Sequence, residues 1–167
     1  MTVSPSAATS ARSLRFALLV VLAVGAAAVL GQAATTPNLD PWFAGLQKPS
    51  FNPPRWLFAP VWTTLYVLMA WAAWRILRLP AGTPGRAAAV ALFFAQLVLN
   101  GAWSWMFFAA RNPLLGLINI VPQALLVLAT VVAFRRLDAT AGWLLVPLAA
   151  WVGFATVLNF SIWRLNA

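Results

Sequence analysis

Five apolar runs, 14–32, 57–77, 87–110, 114–134 and 142–163, dominate the chain. Each holds about 20 residues, the length an α-helix needs to cross a hydrocarbon core about 30 Å thick at a rise of about 1.5 Å per residue. Backbone groups in lipid must be satisfied within the segment, so runs of this length read as helices. The expected fold is therefore an all-α integral membrane protein, a five transmembrane helix bundle. Composition agrees: 63% hydrophobic and 8% charged residues lie outside soluble globular usage. The links at 78–86, 111–113 and 135–141 are short, which makes sequence neighbours antiparallel. Residues 14–167 then form one domain with a lid loop over 33–56, and the polar residues 1–13 read as a disordered N-terminal tail.

The first run has a second reading as a secretory signal, because Arg12 and Arg15 precede it and Gly31-Gln32-Ala33 resembles a small-residue cleavage site. Its length exceeds the usual signal core of about 7–15 residues. Ala23, Ala27 and Gly31 also form a small-xxx-small row suited to close helix packing, so a retained span is favoured.

The net charge of +9 does not form a patch or stripe, so nucleic acid is not an expected partner. Lys and Arg instead gather at helix ends. With the N-terminus inside, Arg12, Arg15, Arg75, Arg78, Arg86, Arg135 and Arg136 fall on one side, and Lys48, Arg55, Arg111 and Arg164 on the other. The positive-inside rule then places the N-terminus in the cytoplasm and the protein in a membrane such as the bacterial cytoplasmic one. Membrane lipid, including anionic headgroups, is an expected partner.

The chain has no His and no Cys, and its only acids are Asp40 and Asp138. A thiolate or imidazole metal site, a Ser-His-Asp system, a carboxylate pair and an acidic proton relay all lack their parts. No metal, no cofactor and no conventional catalytic residue is expected.

Residues 41–69 carry the functional signal. Trp42, Phe43, Phe51 and Trp56 alternate with Pro41, Pro49, Pro53 and Pro54, giving a stiff, apolar loop in need of a surface to cover. Asp40 could cap a short helix beginning at Pro41. The next run places Trp62, Leu65, Tyr66 and Met69 on one helical stripe. Lid and stripe suggest a pocket for a flat, greasy ligand.

Polar residues within the runs are also patterned. Gln96, Asn100, Trp103 and Phe107 share one face of the third helix, opposite Ala87, Ala91 and Ala95, whose small face suits helix or homodimer packing. Asn119, Gln123 and Thr130 share a face of the fourth, and Pro147, Trp151, Ala155 and Leu158 a face of the fifth, with Asn159 at its edge. Asn119 and Gln123 read best as interhelical hydrogen-bonders, whereas Asn100 beside Trp103 suits that role or ligand contact equally. Trp71, Trp74, Trp143 and Trp163 read as interfacial anchors; Trp62 and Trp151 suit ligand contact at least as well.

The segments PWFAGLQKPSFNPPRWLFAPVWTTLY (41–66), LNGAWSWMFF (99–108) and PLAAWVGFATVLNFSIWRLN (147–166) resemble the tryptophan-rich sensory protein, or translocator protein, family, also called the peripheral benzodiazepine receptor. The likeness spans all five helices. It implies a five-helix bundle, usually a homodimer, binding porphyrins, sterols and benzodiazepine-type ligands beneath the first loop. Position by position it implies a pocket of Trp42, Trp56, Trp62, Tyr66, Asn100, Trp103, Trp151, Ala155 and Leu158. Two departures matter: Phe43 stands where the family often has Tyr, and Phe160 where the sterol-recognition pattern of animal members needs Tyr.

A tetrapyrrole suits the residues themselves, with tryptophans for its π-face and Lys48 and Arg55 for its propionates. Tight axial ligation of haem iron is not expected, since only Met69, Met106 and Tyr66 could substitute for His or Cys. The favoured function is a membrane receptor or transporter for porphyrin-type ligands, with a role in tetrapyrrole metabolism or stress response. One alternative implied by the resemblance is a weak light-dependent porphyrin-degrading enzyme using Trp62 and Trp151; another is a regulatory sensor acting through a protein partner.

Overall fold

A computed structural model describes residues 5–167, with side chains from Ser10 onward. Apolar segments become helices wherever lipid leaves the backbone no other partner. They are α1 (Pro5–Thr35), α2 (Arg55–Arg78), α3 (Arg86–Ser104), α4 (Pro113–Leu137), α5 (Ala139–Leu144) and α6 (Val146–Asn166). No strand occurs among the described residues. Five helical units are long and apolar enough to span a membrane, α5 and α6 together forming the fifth. The first helix covers residues 5–13 of the expected tail as well as the expected span; residues 1–4 of that tail lie outside the described residues.

Three local features shape the bundle. A wide turn over Trp105–Ala109 extends α3, closed by the Ala110 N–H donating to the Trp105 carbonyl at 2.8 Å. This widening lets the consecutive Phe107 and Phe108 both turn inward and bury. Asn112 caps α4, its Oδ1 accepting from the N–H groups of Leu114 and Leu115 at 3.0 and 3.1 Å, with Pro113 in the first turn. The fifth span is broken at Leu145, because Pro147 has no N–H to continue the α5 ladder and instead starts α6.

The helices follow one another around the bundle as α2, α1, α3, α4 and α6. The break matters to closure of this ring. Short α5 packs against α2, while α6 packs along α4 and leaves α2 with little contact beyond the break. Gly142 makes the tight crossing of α5 and α4 possible: a Cβ there would lie 2.8 Å from Cα of Arg135 and closer still to its Cγ. Gly31 of the small-residue row on α1 faces Ser104 of α3, where an added Cβ would sit 3.4 Å from the Ser104 hydroxyl. Ala87, Ala91 and Ala95 lie exposed on the outside of α3.

Charged groups collect at the two ends. Arg75 and Asp138 pair at 2.8 Å, and Arg86 donates to the carbonyls of Ile76 and Leu77, terminating α2. At the opposite end Arg111 donates to Oδ1 of Asn38 at 3.1 Å, and Nη1 and Nη2 of Arg55 each donate to the Asp40 carboxylate at 2.9 Å.

Candidate functional site

Where α2 and α6 diverge, a groove of about 700 Å³ opens between them. Its α2 wall is Trp56, Leu57, Pro60, Val61, Thr64 and Leu65; its α6 wall is Pro147, Ala150, Trp151 and Phe154. The volume lies within the range of about 300–1,000 Å³ common for small-molecule sites. The walls are almost wholly carbon, since the single hydroxyl, that of Thr64, donates to the Pro60 carbonyl at 2.9 Å. Such a site recognises by shape and apolar contact.

Aromatic side chains organise the groove. Phe58 of α2 reaches Trp151 of α6 edge-on at 5.8 Å, and Trp151 leans on Phe154 at 5.6 Å. Phe51 of the loop meets Phe154 edge-on at 6.3 Å, so the loop touches the groove wall through that ring. Trp56 is 72% exposed although it lines the groove.

Eight of the nine residues singled out from the sequence fall into three places, and the ninth, Ala155, packs on the main apolar core. Trp56 and Trp151 line the groove. Trp62, Tyr66 and Asn100 form an inner set: the Trp62 and Tyr66 rings lie 5.4 Å apart and the Tyr66 hydroxyl donates to Oδ1 of Asn100 at 3.2 Å. Trp62, Tyr66, Trp151 and Ala155 all pack on the main apolar core. Trp42, Trp103 and Leu158 belong to a second cluster with Phe43, Phe107, Phe108 and Ile162. There Trp103 stacks on Phe107 at 5.0 Å, and Trp42 meets Phe107 edge-on at 5.7 Å.

The loop is therefore held down at one end by this second cluster rather than hanging free. The side chain of Asn166 holds it too, accepting from the Gln47 N–H and donating to the Gln47 carbonyl, both at 2.9 Å. Two sequence expectations about the loop change. Asp40 has the extended backbone of a cap residue (φ −128°, ψ 137°), but its carboxylate does not cap a helix at Pro41 and is bound by Arg55 instead. Lys48 is not free at the mouth either: its ammonium lies 4.7 Å from the Phe43 ring centre and donates to the carbonyls of Ala44 and Leu46. Burial moves the Lys48 pKa below its ordinary value, and the Arg55 charge adds to this.

Sequence reading missed Phe58, Phe154 and Ala150. Phe58 lies one turn before Trp62, and Phe154 one turn after Trp151, so helical spacing from the two tryptophans could have found them. Asn119 and Gln123 are buried but make no side-chain hydrogen bond to another helix, so their expected linking role falls to Asn159.

The sequence profile of the TspO/MBR family matches residues 17–164. The chain is 40% identical over 153 residues to the tryptophan-rich protein TspO of Archaeoglobus fulgidus, covering 90% of this chain and 94% of the relative. It is 42% identical over 142 residues to the tryptophan-rich sensory protein of Cereibacter sphaeroides, covering 83% and 87%. The human translocator protein is 39% identical over 126 residues, 75% of each chain. With the profile matched from the first span to the end of the last, and relatives at this identity along most of their own length, the chain belongs to the TspO/MBR family.

Proposed function

We propose that this protein is a membrane receptor or transporter that takes up porphyrin-type and related flat hydrophobic ligands in the groove between α2 and α6. The observation that carries the reading is the pair of tryptophans, Trp56 and Trp151, on facing walls of a carbon-lined groove. Large aromatic faces on walls that are otherwise almost wholly carbon suit a broad π-system. Its carboxylates would meet Arg55, next to Trp56 in sequence, in competition with Asp40. The groove offers no His, Cys or Met to iron, so metal-free porphyrin is expected to bind at least as well as haem.

The arginine-rich end, with Arg12, Arg15, Arg78, Arg86, Arg135 and Arg136 beside the Arg75–Asp138 pair, we assign to the cytoplasm, and the loop to the opposite face. Homodimerisation through the exposed Ala87, Ala91 and Ala95 strip of α3 fits the same reading.

Titration of the detergent-purified protein with protoporphyrin, haem and a sterol, repeated on Trp56→Ala, tests this function. Trp56 is largely exposed, so its loss should weaken protoporphyrin binding about tenfold or more at an unchanged unfolding temperature. Absence of saturable porphyrin binding to the intact protein refutes the proposal. Light-driven porphyrin breakdown is a second reading that Trp151 favours, since it touches the groove while Trp62 packs on Tyr66. Product formation under illumination, lost in Trp151→Phe and kept in Trp62→Phe, would support it.

A further inference from the structure

The seam between α3 and α4 carries amides that the groove does not use. Gln96 is 1% exposed, Gln123 2%, Asn119 4% and Asn100 5%. Five of their atoms are sealed from the surface and have no protein partner: both Oε1 and Nε2 of Gln96, Nδ2 of Asn100, Oδ1 of Asn119 and Oε1 of Gln123. Outside the seam one further buried atom, Oδ1 of Asn52 in the loop, has no partner, but Asn159 and Thr130, as buried as the seam amides, are satisfied. Asn159 uses its Oδ1 for Trp103 and its Nδ2 for the Pro113 carbonyl, and Thr130 donates to the Leu126 carbonyl.

The unpaired atoms spread over about two helical turns, about 11 Å, along the seam. Phe93 of α3 stacks on Phe134 of α4 at 5.9 Å, and a Cβ on Gly116 of α4 would meet Phe107 of α3, which fixes the antiparallel register. Asn100 is halfway between Phe93 and Phe107, hence level with the stretch from Gln123 to Val127. Gln96 lies one turn to one side, and Asn119 one turn to the other. Gln96 and Asn100 also sit near the middle of their span, between about 14 and 21 Å from its ends at about 1.5 Å per residue.

Neutral amides at that depth do not stay unpaired, because neither lipid nor apolar side chains can replace their hydrogen bonds. The pattern identifies the missing partner's chemistry. The oxygens of Asn119 and Gln123 need a donor, Nδ2 of Asn100 needs an acceptor, and Gln96 needs one of each. A cation could serve only the oxygens and an anion only the N–H groups. Water serves both, and two to four polar partners are what a buried water uses.

We infer that the α3–α4 seam holds internal water, bound by Gln96, Asn100, Asn119 and Gln123 from mid-span toward the Pro113 end of α4. Through the Tyr66 hydroxyl on Asn100, this hydrated seam is joined to α2, one wall of the groove. The inference does not depend on which ligand the groove takes.

Side-chain ¹⁵N-glutamine labelling of the full chain in lipid nanodiscs tests it. The chain has four glutamines, Gln32, Gln47, Gln96 and Gln123. Gln32 and Gln47 are exposed and are assigned by Gln32→Ala and Gln47→Ala, which leave the seam untouched. Magnetisation transfer from water protons to the two remaining amide groups is expected. Loss of all transfer at both, or cross-peaks showing direct pairing of their amides with each other or with asparagine, would overturn the inference.

Discussion

The indole Nε1 of Trp103 donates to Oδ1 of Asn159 at 3.0 Å, while Nδ2 of the same Asn159 donates to the Pro113 carbonyl at 2.8 Å. One buried amide thus joins α3, α6 and the first residue of α4. Replacing it by Leu keeps the volume but strands the Trp103 indole N–H inside the bundle and removes the tie to the start of α4. Asn159→Leu is expected to cost about 1–3 kcal/mol, read as a lowered unfolding temperature in detergent. An unchanged temperature would show that the link is energetically idle.

Gly142 faces a fixed obstacle, the backbone of Arg135, so an added methyl cannot be accommodated by turning a flexible side chain. Gly142→Ala should separate α5 from α4 and destabilise by about 1–3 kcal/mol, typical of overpacking. Gly153→Ala is the control, since a Cβ there meets nothing within 4 Å. Comparable thermal stability of the two variants would contradict the crossing geometry.

Asp138 links pH to stability. Burial alone would raise its pKa, but the Ala141 N–H at 3.0 Å and the Arg75 guanidinium outweigh that and hold it below the ordinary carboxylate value. A depressed folded-state pKa stabilises fully above the unfolded value, about 3.9, and the contribution is lost as pH falls through the folded value. Unfolding temperatures measured from pH 7 down to about pH 3 should therefore drop more steeply at the acid end for the wild type than for Asp138→Asn. Parallel curves would remove Asp138 from the account.

The five spans were legible because lipid imposes a length and composition that few other folds share. The face carrying Gln96, Asn100, Trp103 and Phe107 was legible from helical spacing, and Trp103 indeed stacks on Phe107. The groove was not, because it depends on a break that sequence leaves ambiguous. Pro60 continues α2 as an interior residue, whereas Pro147 ends one helix and begins another. Packing of α5 against α2 makes the difference, and periodicity carries no trace of it. Asp40 shows the same limit, because its choice of Arg55 over a local cap is decided by where the loop returns to the bundle. The family resemblance likewise implies one pocket, whereas packing divides its residues among a groove, an inner set, the main core and a second cluster.

Ala150 lies exposed on the α6 wall of the groove between Pro147 and Trp151, so a large side chain there fills the groove without entering the core. The most direct measurement is equilibrium binding of protoporphyrin, followed by its own absorbance, to the wild type and to Ala150→Trp. Saturable binding to the wild type and at least tenfold weaker binding to Ala150→Trp, with an unchanged unfolding temperature, are expected. Equal affinity in the two proteins would show that the ligand sits elsewhere.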